Sequence, residues 1–128
     1  MYRLPTEAEW EYSCRAGKHS QAITYFEDKN LSRKIRRVKD SFKNKWGLYG
    51  ITGNVWEFCL DPWHDNYIFA PNNERVWTEN GDAKNIVIRT ANFFKGKNGD
   101  KAWVLQRRKQ SRQSGSWRTG FRILYTQP

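Results

Sequence analysis

Between Asn44 and Asp65 the chain crowds glycine and large aromatics into one stretch: Trp46, Gly47, Tyr49, Gly50, Gly53, Trp56, Phe58 and Trp63. Glycine at that frequency marks tight turns and close backbone approach rather than regular structure. The rings between the glycines point to a fold of short elements and loops. Seven Trp, seven Phe and six Tyr in 128 residues let a small domain bury a large area with few side chains. Flat aromatic surfaces for a ligand are their other use. The length suits one domain with one core, spanning 1–128, and is too short for two.

The clearest local element is at the start, where Thr6-Glu7-Ala8-Glu9 has the form of a capping box and predicts a helix over 6–16. Ala8, Tyr12 and Arg15 or Ala16 would share one face, with Gly17 as the stop. From Lys29 to Lys45, Leu31, Ile35, Val38 and Phe42 recur at helical spacing among eight basic residues and one acidic. A surface helix is the expectation there, a nucleic-acid contact the alternative. Residues 66–85 read as a polar loop ending in the Asn80-Gly81-Asp82 turn signal. Short strands are predicted at Ile86–Ile88, with Phe93-Phe94 as a prolongation, at Ala102–Leu105 and at Gly120–Tyr125, with a Gly96/Gly99 turn between.

Charge is unevenly spread. Residues 61–84 hold 2 basic and 5 acidic side chains, whereas 85–128 hold 10 and 1, which accounts for nearly all of the net +10. A polyanion or an acidic protein surface is the natural partner of such a segment. Cys14 and Cys59 match no zinc or redox spacing, and a single disulfide between them is neither implied nor excluded. No stretch approaches the ~18 uninterrupted apolar residues of a membrane span. The N-terminus lacks the apolar region of a secretory signal, which predicts a cytoplasmic protein.

The run Arg3-Leu-Pro-Thr-Glu-Ala-Glu-Trp-Glu-Tyr-Ser-Cys-Arg-Ala-Gly17 resembles the formylglycine-generating enzyme (sulfatase-modifying factor) family almost word for word. Trp46-Gly-Leu-Tyr49, Gly53-Asn-Val-Trp-Glu-Phe-Cys-Leu-Asp61 and Gly120-Phe-Arg122 follow in the family's order. The resemblance implies an α+β, C-type lectin-like fold, loop-rich, with a short antiparallel sheet and one or two helices. From below, Trp10, Trp56 and Phe58 serve as core anchors, and Glu57 with Arg122 as a satisfied buried pair. The resemblance also implies that N-terminal strands which normally pair with the closing strand are missing, leaving a sheet edge for a complementing chain or a second copy.

Departures from the family bear on activity. Members that make formylglycine use a copper-binding cysteine pair shortly before Gly-Phe-Arg. Here no cysteine follows Cys59, and the block that precedes the pair reads Thr90-Ala-Asn-Phe93. Soft Cu(I) needs soft thiolates, so that chemistry does not carry over. Some members bind calcium at positions matched by Gly53, Val55 and Glu57, although a helping Asn is Gly50 here, and a single carboxylate is few for a hard cation.

Three functions follow. The first is a non-catalytic display module, as in the variable proteins of diversity-generating retroelements, binding a protein or other anionic ligand through 89–122. Its candidate residues are Asn92, Phe93, Lys95, Lys97, Asn98 and Trp103, then Gln106, Arg107, Arg108, Arg112, Ser116, Trp117 and Arg118. Template Asn codons mutated at adenine cannot give Lys, Gln or Trp, so plain partner binding is favoured over active diversification. The second is an oxidoreductase of the family, or a fragment of one. The third is nucleic-acid binding, resting on basic stretches interleaved with Phe and Trp.

Overall fold

The computed structural model describes residues 1–17, 35–41, 43–51, 53–90, 92–96, 99–103 and 106–128, and the strands within 92–103 as backbone only. In chain order the elements are β1 (Tyr2–Arg3), α1 (Glu7–Arg15), a 3-10 turn (Val38–Asp40), β2 (Trp56–Trp63), β3 (Asp82–Arg89), β4 (Asn92–Gly96), β5 (Gly99–Trp103), β6 (Arg107–Ser111), β7 (Thr119–Gly120) and β8 (Leu124–Tyr125). They fall into two compact units. One comprises Met1–Trp10, Trp56–Arg89 and Arg107–Pro128, the other Glu11–Val55 and Thr90–Gln106.

The expected capping box starts α1. Thr6 Oγ1 accepts from Glu9 N (3.2 Å), and the Glu9 carboxylate accepts from Thr6 N (2.8 Å), so two otherwise orphaned donors are satisfied. Ala16 and Gly17, at φ +49° and +84°, end the helix in the left-handed region. Its buried face differs from the one expected. Glu7, Trp10 and Cys14 are buried, while Ala8 and Tyr12 are exposed. Apolar spacing alone misses an inward-facing carboxylate, and Glu7 points inward because its partner cations lie there.

In the first unit a four-stranded sheet runs in the order β6-β3-β2-β7, with β2–β3 and β3–β6 antiparallel and β2–β7 parallel. The central strand β2 lies in the stretch read from glycine and aromatic content as turns. Its buried positions alternate as Glu57, Cys59 and Asp61, a period-two pattern hidden because two of the three are acids. Pro62, which has no N–H to give, sits where the β2–β3 register shifts. Val87, Ile88, Ile86, Cys59, Trp10 and Trp77 supply the apolar core. Trp56 and Phe58 are only half-buried, so of the three expected anchors Trp10 is the one in the core. The predicted 120–125 strand is two pieces, β7 and β8. The latter pairs with β1 through Tyr2↔Tyr125 and Arg3↔Leu124 in a separate two-stranded ladder.

The second unit is organised by Asn44, which is buried. Its Nδ2 donates to Ser13 O (2.7 Å) and Cys14 O (3.4 Å), carbonyls at the end of α1, and its Oδ1 accepts from Trp46 N (3.0 Å) and Leu48 N (3.1 Å). One amide thus closes a helix end and shapes the Trp46–Tyr49 loop. Cys14 and Ile51 are fully buried beside this frame, and Tyr12 meets Trp46 edge to face. The helix expected over 29–45 does not continue through its described part. Val38–Asp40 is a single 3-10 turn, and Ile35 and Val38 are exposed. Asn54 brackets Arg36, accepting from its N–H (2.8 Å) and donating to its carbonyl (3.1 Å), which takes groups a helix would use internally. Residues 29–34 and Phe42 lie outside the described residues. β4 and β5 pair antiparallel from Asn92↔Trp103 to Gly96↔Gly99, so Phe93-Phe94 belongs to a strand of its own, while residues 97–98 of the expected Gly96/Gly99 turn lie outside the described residues.

Candidate binding surface

Charge in the first unit is sorted into a sealed network and an open surface. The network centres on Glu7, whose carboxylate accepts from Tyr67 OH (2.7 Å), Arg89 Nη1 (3.0 Å), Arg107 Nε (2.8 Å) and Arg107 Nη2 (3.1 Å). Burial on its own would raise the Glu7 carboxyl. The Arg107 hydrogen bond and the Arg89 charge outweigh it and hold the group below the ordinary 4.5. Asp61 takes Glu7 N (2.7 Å) and Trp77 N (2.9 Å), tying the start of α1 and the 66–81 loop to β2, and burial shifts its carboxyl upward. A second knot joins Glu57 to Arg122 through two bonds (2.6 and 2.7 Å) and to Trp10 Nε1 (2.7 Å). The expected Glu57–Arg122 pair is therefore present. Among the described residues no buried side-chain N or O lacks a hydrogen bond. These acids and cations satisfy one another.

That arrangement removes Arg107 from the exposed display residues. Its guanidinium lies over Trp63 (4.2 Å) and Tyr67 (4.6 Å), and its Nη1 donates to His64 O (2.6 Å). It is an internal clamp because strand alternation turns residue 107 toward Glu7, whereas 108 faces the other side of the sheet. Gln106 is half-buried.

Among the exposed members of the predicted set, two arginines lie over tryptophan rings. Arg108 lies over the Trp56 ring (4.9 Å) and Arg118 over Trp117 (4.4 Å). Trp56 N donates to Arg118 O (2.8 Å), so the two Arg–Trp pairs are neighbours. Trp117 is 73% exposed, and Arg108, Arg112, Ser116 and Arg118 are exposed as well. Among the described residues, neither Arg108 nor Arg118 forms an ion pair. A guanidinium stacked on indole keeps its edge N–H groups free for a carboxylate or phosphate. Asn92, Phe93, Lys95 and Trp103 lie on β4 and β5, whose side chains are outside the described residues, as are Lys97 and Asn98 altogether.

Sequence reasoning passed over a groove of about 600 Å³ in the same unit, built by the 63–69 and 75–82 loops with Lys109 of β6. His64 and Trp77 stack at 3.5 Å and 3° in its lining, and His64 Nε2 meets Glu79 O at 2.8 Å. Gly81 is required here, since a Cβ would sit 2.6 Å from Pro62 Cγ and 3.0 Å from His64 Cε1. At the rim Ile68 and Phe69 are 64% and 95% exposed. The only signal in the sequence was the Asn80-Gly81-Asp82 turn, which marked a loop and not what the loop encloses.

For metals, Glu57, the single carboxylate of the calcium expectation, is engaged by Trp10 and Arg122. No three His, Cys, Asp or Glu side chains group as metal ligands among the described residues. Cys14 and Cys59 are free thiols, each buried, and burial raises the Cys59 thiol well above its ordinary value. Two sealed thiols, with Cys59 held toward its neutral form by burial, do not fit a Cu(I) dithiolate site. No described helix is long and apolar enough to cross a membrane.

A family model described as "Sulfatase-modifying factor enzyme 1-like domain" matches residues 1–127. The formylglycine-generating enzyme of Mus musculus is 35% identical over 85 residues, 48% of this chain and 22% of that protein. The inactive C-alpha-formylglycine-generating enzyme 2 of Bos taurus is 32% identical over 76 residues, 44% of this chain and 25% of its own. Among solved structures, PvdO from Pseudomonas aeruginosa superposes with a TM-score of 0.68 at 23% identity, over 95% of this chain and 51% of that one. Treponema denticola variable protein 1 does so at 0.62 and 28%, over 95% and 46%. The chain thus spans about half the length of these structures and about a quarter or less of the two curated relatives.

Proposed function

This chain belongs to the sulfatase-modifying-factor family and has its C-type lectin-like fold; from that premise we propose that it acts as a non-catalytic binding module for an acidic protein partner. The family holds both formylglycine-generating enzymes and inactive relatives, so membership alone does not decide between catalysis and binding. The observation that carries the binding reading is the adjacent Arg108–Trp56 and Arg118–Trp117 pairs, with guanidinium edges free of carboxylates and Trp117 open to solvent. Arginine and tryptophan are the residues in which interface energy concentrates. The absence of any cysteine after Cys59, with both thiols sealed, argues against copper-dependent formylglycine formation. The structural likeness to a variable protein is in keeping with a display role.

The test is fluorescence anisotropy with a labelled acidic peptide, alongside a single-stranded oligonucleotide. Binding of the peptide is expected, weakening with salt, and Arg108→Ala, Arg118→Ala or Trp117→Ala should each lower affinity about tenfold, or ~1.4 kcal/mol. Wild-type affinity in all three variants refutes the reading, as does oxidation of a sulfatase-motif peptide by the copper-loaded protein. Tighter binding of the oligonucleotide than of the peptide, with a steep salt slope, moves the assignment to nucleic acid.

A further inference from the structure

We infer that the acidic partner of the Arg–Trp surface is a second copy of this chain, which presents its 63–82 groove to it; the inference rests on the binding reading above. The groove presents Asp65, Glu79 and Asp82 against Arg75 and Lys109, whereas the other surface presents Arg108, Arg112 and Arg118, so one molecule carries both halves of a complementary pair. Glu79 is held by Arg75 (2.8 Å), while Asp65 and Asp82 form no ion pair among the described residues, and at the rim Ile68 and Phe69 project apolar surface with nothing over it among those residues. Phe69 is held out by construction. It sits at φ +65°, a left-handed conformation unfavourable for a bulky residue. The turn is closed by Ala70 N to Tyr67 O (3.0 Å) and anchored beneath by Tyr67 OH on Glu7 (2.7 Å). A strained, anchored turn that aims a phenyl ring at solvent beside carboxylates suits a partner offering both cations and an indole. Arg112, Trp117 and Arg118 offer those.

The placement of the two surfaces also sets the kind of assembly. Lys109 lines the groove and Arg108 covers Trp56, and neighbouring residues of β6 point to opposite faces of the sheet. Donor and acceptor therefore lie on different faces of one unit. The contact is head-to-tail, and propagates into chains or closed rings instead of stopping at a two-fold dimer.

The experiment is light scattering on size-exclusion fractions across a concentration series, with Phe69→Ser and Arg118→Glu made separately. The wild type should rise above its 15.3 kDa monomer mass with concentration and return to it in about 0.5 M salt. Each variant alone should stay monomeric. Their mixture should give a capped one-to-one complex, because one variant keeps the basic surface and the other keeps the groove. Circular dichroism melts check folding, with Ile68→Ser and Arg112→Glu as substitutes for a variant that fails to fold. A wild type that remains monomeric throughout overturns the inference, as does association unaffected by Phe69→Ser or not restored by mixing. If the acidic peptide still binds in that case, the second-copy inference falls and the binding reading stands; if the peptide fails too, the reading itself falls.

Discussion

Replacing Glu7 by Gln should destabilise the protein by about 3–5 kcal/mol, the range for removing one partner of a buried ion pair. Glu7 is 8% exposed and faces two cations, Arg89 at 0% and Arg107 at 12%. Gln keeps the size and one acceptor oxygen, but sets amide donors against guanidinium donors and removes the carboxylate that both cations face. The effect depends on pH. Because the folded-state carboxyl lies below its ordinary 4.5, the stability it contributes is fully present above that value and is lost as pH falls through the folded one. Asp61 works in the opposite sense. Its carboxyl is raised, chiefly by burial, from the ordinary 3.8, so its contribution favours low pH and is lost as pH rises through its folded value. The difference between wild type and Glu7→Gln reports Glu7 together with the part of the Asp61 shift that the Glu7 charge causes. Urea unfolding at pH 7 and at steps down to about pH 3 measures it, and the gap between the two proteins should narrow with acid. A gap below 1 kcal/mol at pH 7, or one that does not change with pH, would refute the claim that Glu7 neutralises a buried cation pair.

Asn44→Ala leaves Ser13 O, Cys14 O, Trp46 N and Leu48 N without the Asn44 amide and should cost about 2–3 kcal/mol in urea unfolding, whereas Asn44→Asp keeps the acceptor for Trp46 and Leu48 but sets a carboxylate oxygen against the Ser13 and Cys14 carbonyls. Faster amide exchange at Trp46 and Leu48 in the Ala variant but not the Asp variant checks this division. Gly81→Ala drives a Cβ against Pro62 and should cost about 1–3 kcal/mol by thermal or urea melts; an unchanged midpoint would show that the loop moves away freely.

Local chemistry was legible in the chain. The capping box and the Gly17 stop depend on residues a few positions apart, and each is where the sequence put it. The four ordered family blocks named the fold for the same reason, since a motif spans a short stretch of chain. The Glu57–Arg122 pair, 65 residues apart, came from that resemblance together with charge logic. Sequence could not say which face of α1 is buried, because Glu7 turns inward only when Arg89 and Arg107, 82 and 100 residues away, are brought beneath it by the pairing of β3 with β6. The same pairing decided the fate of two adjacent arginines. Arg107 and Arg108 are indistinguishable by composition, yet strand alternation seals one between Trp63 and Tyr67 and leaves the other over Trp56 in the open. Residue type fixes what a side chain can do, and its register in the sheet fixes which neighbours and how much water it meets.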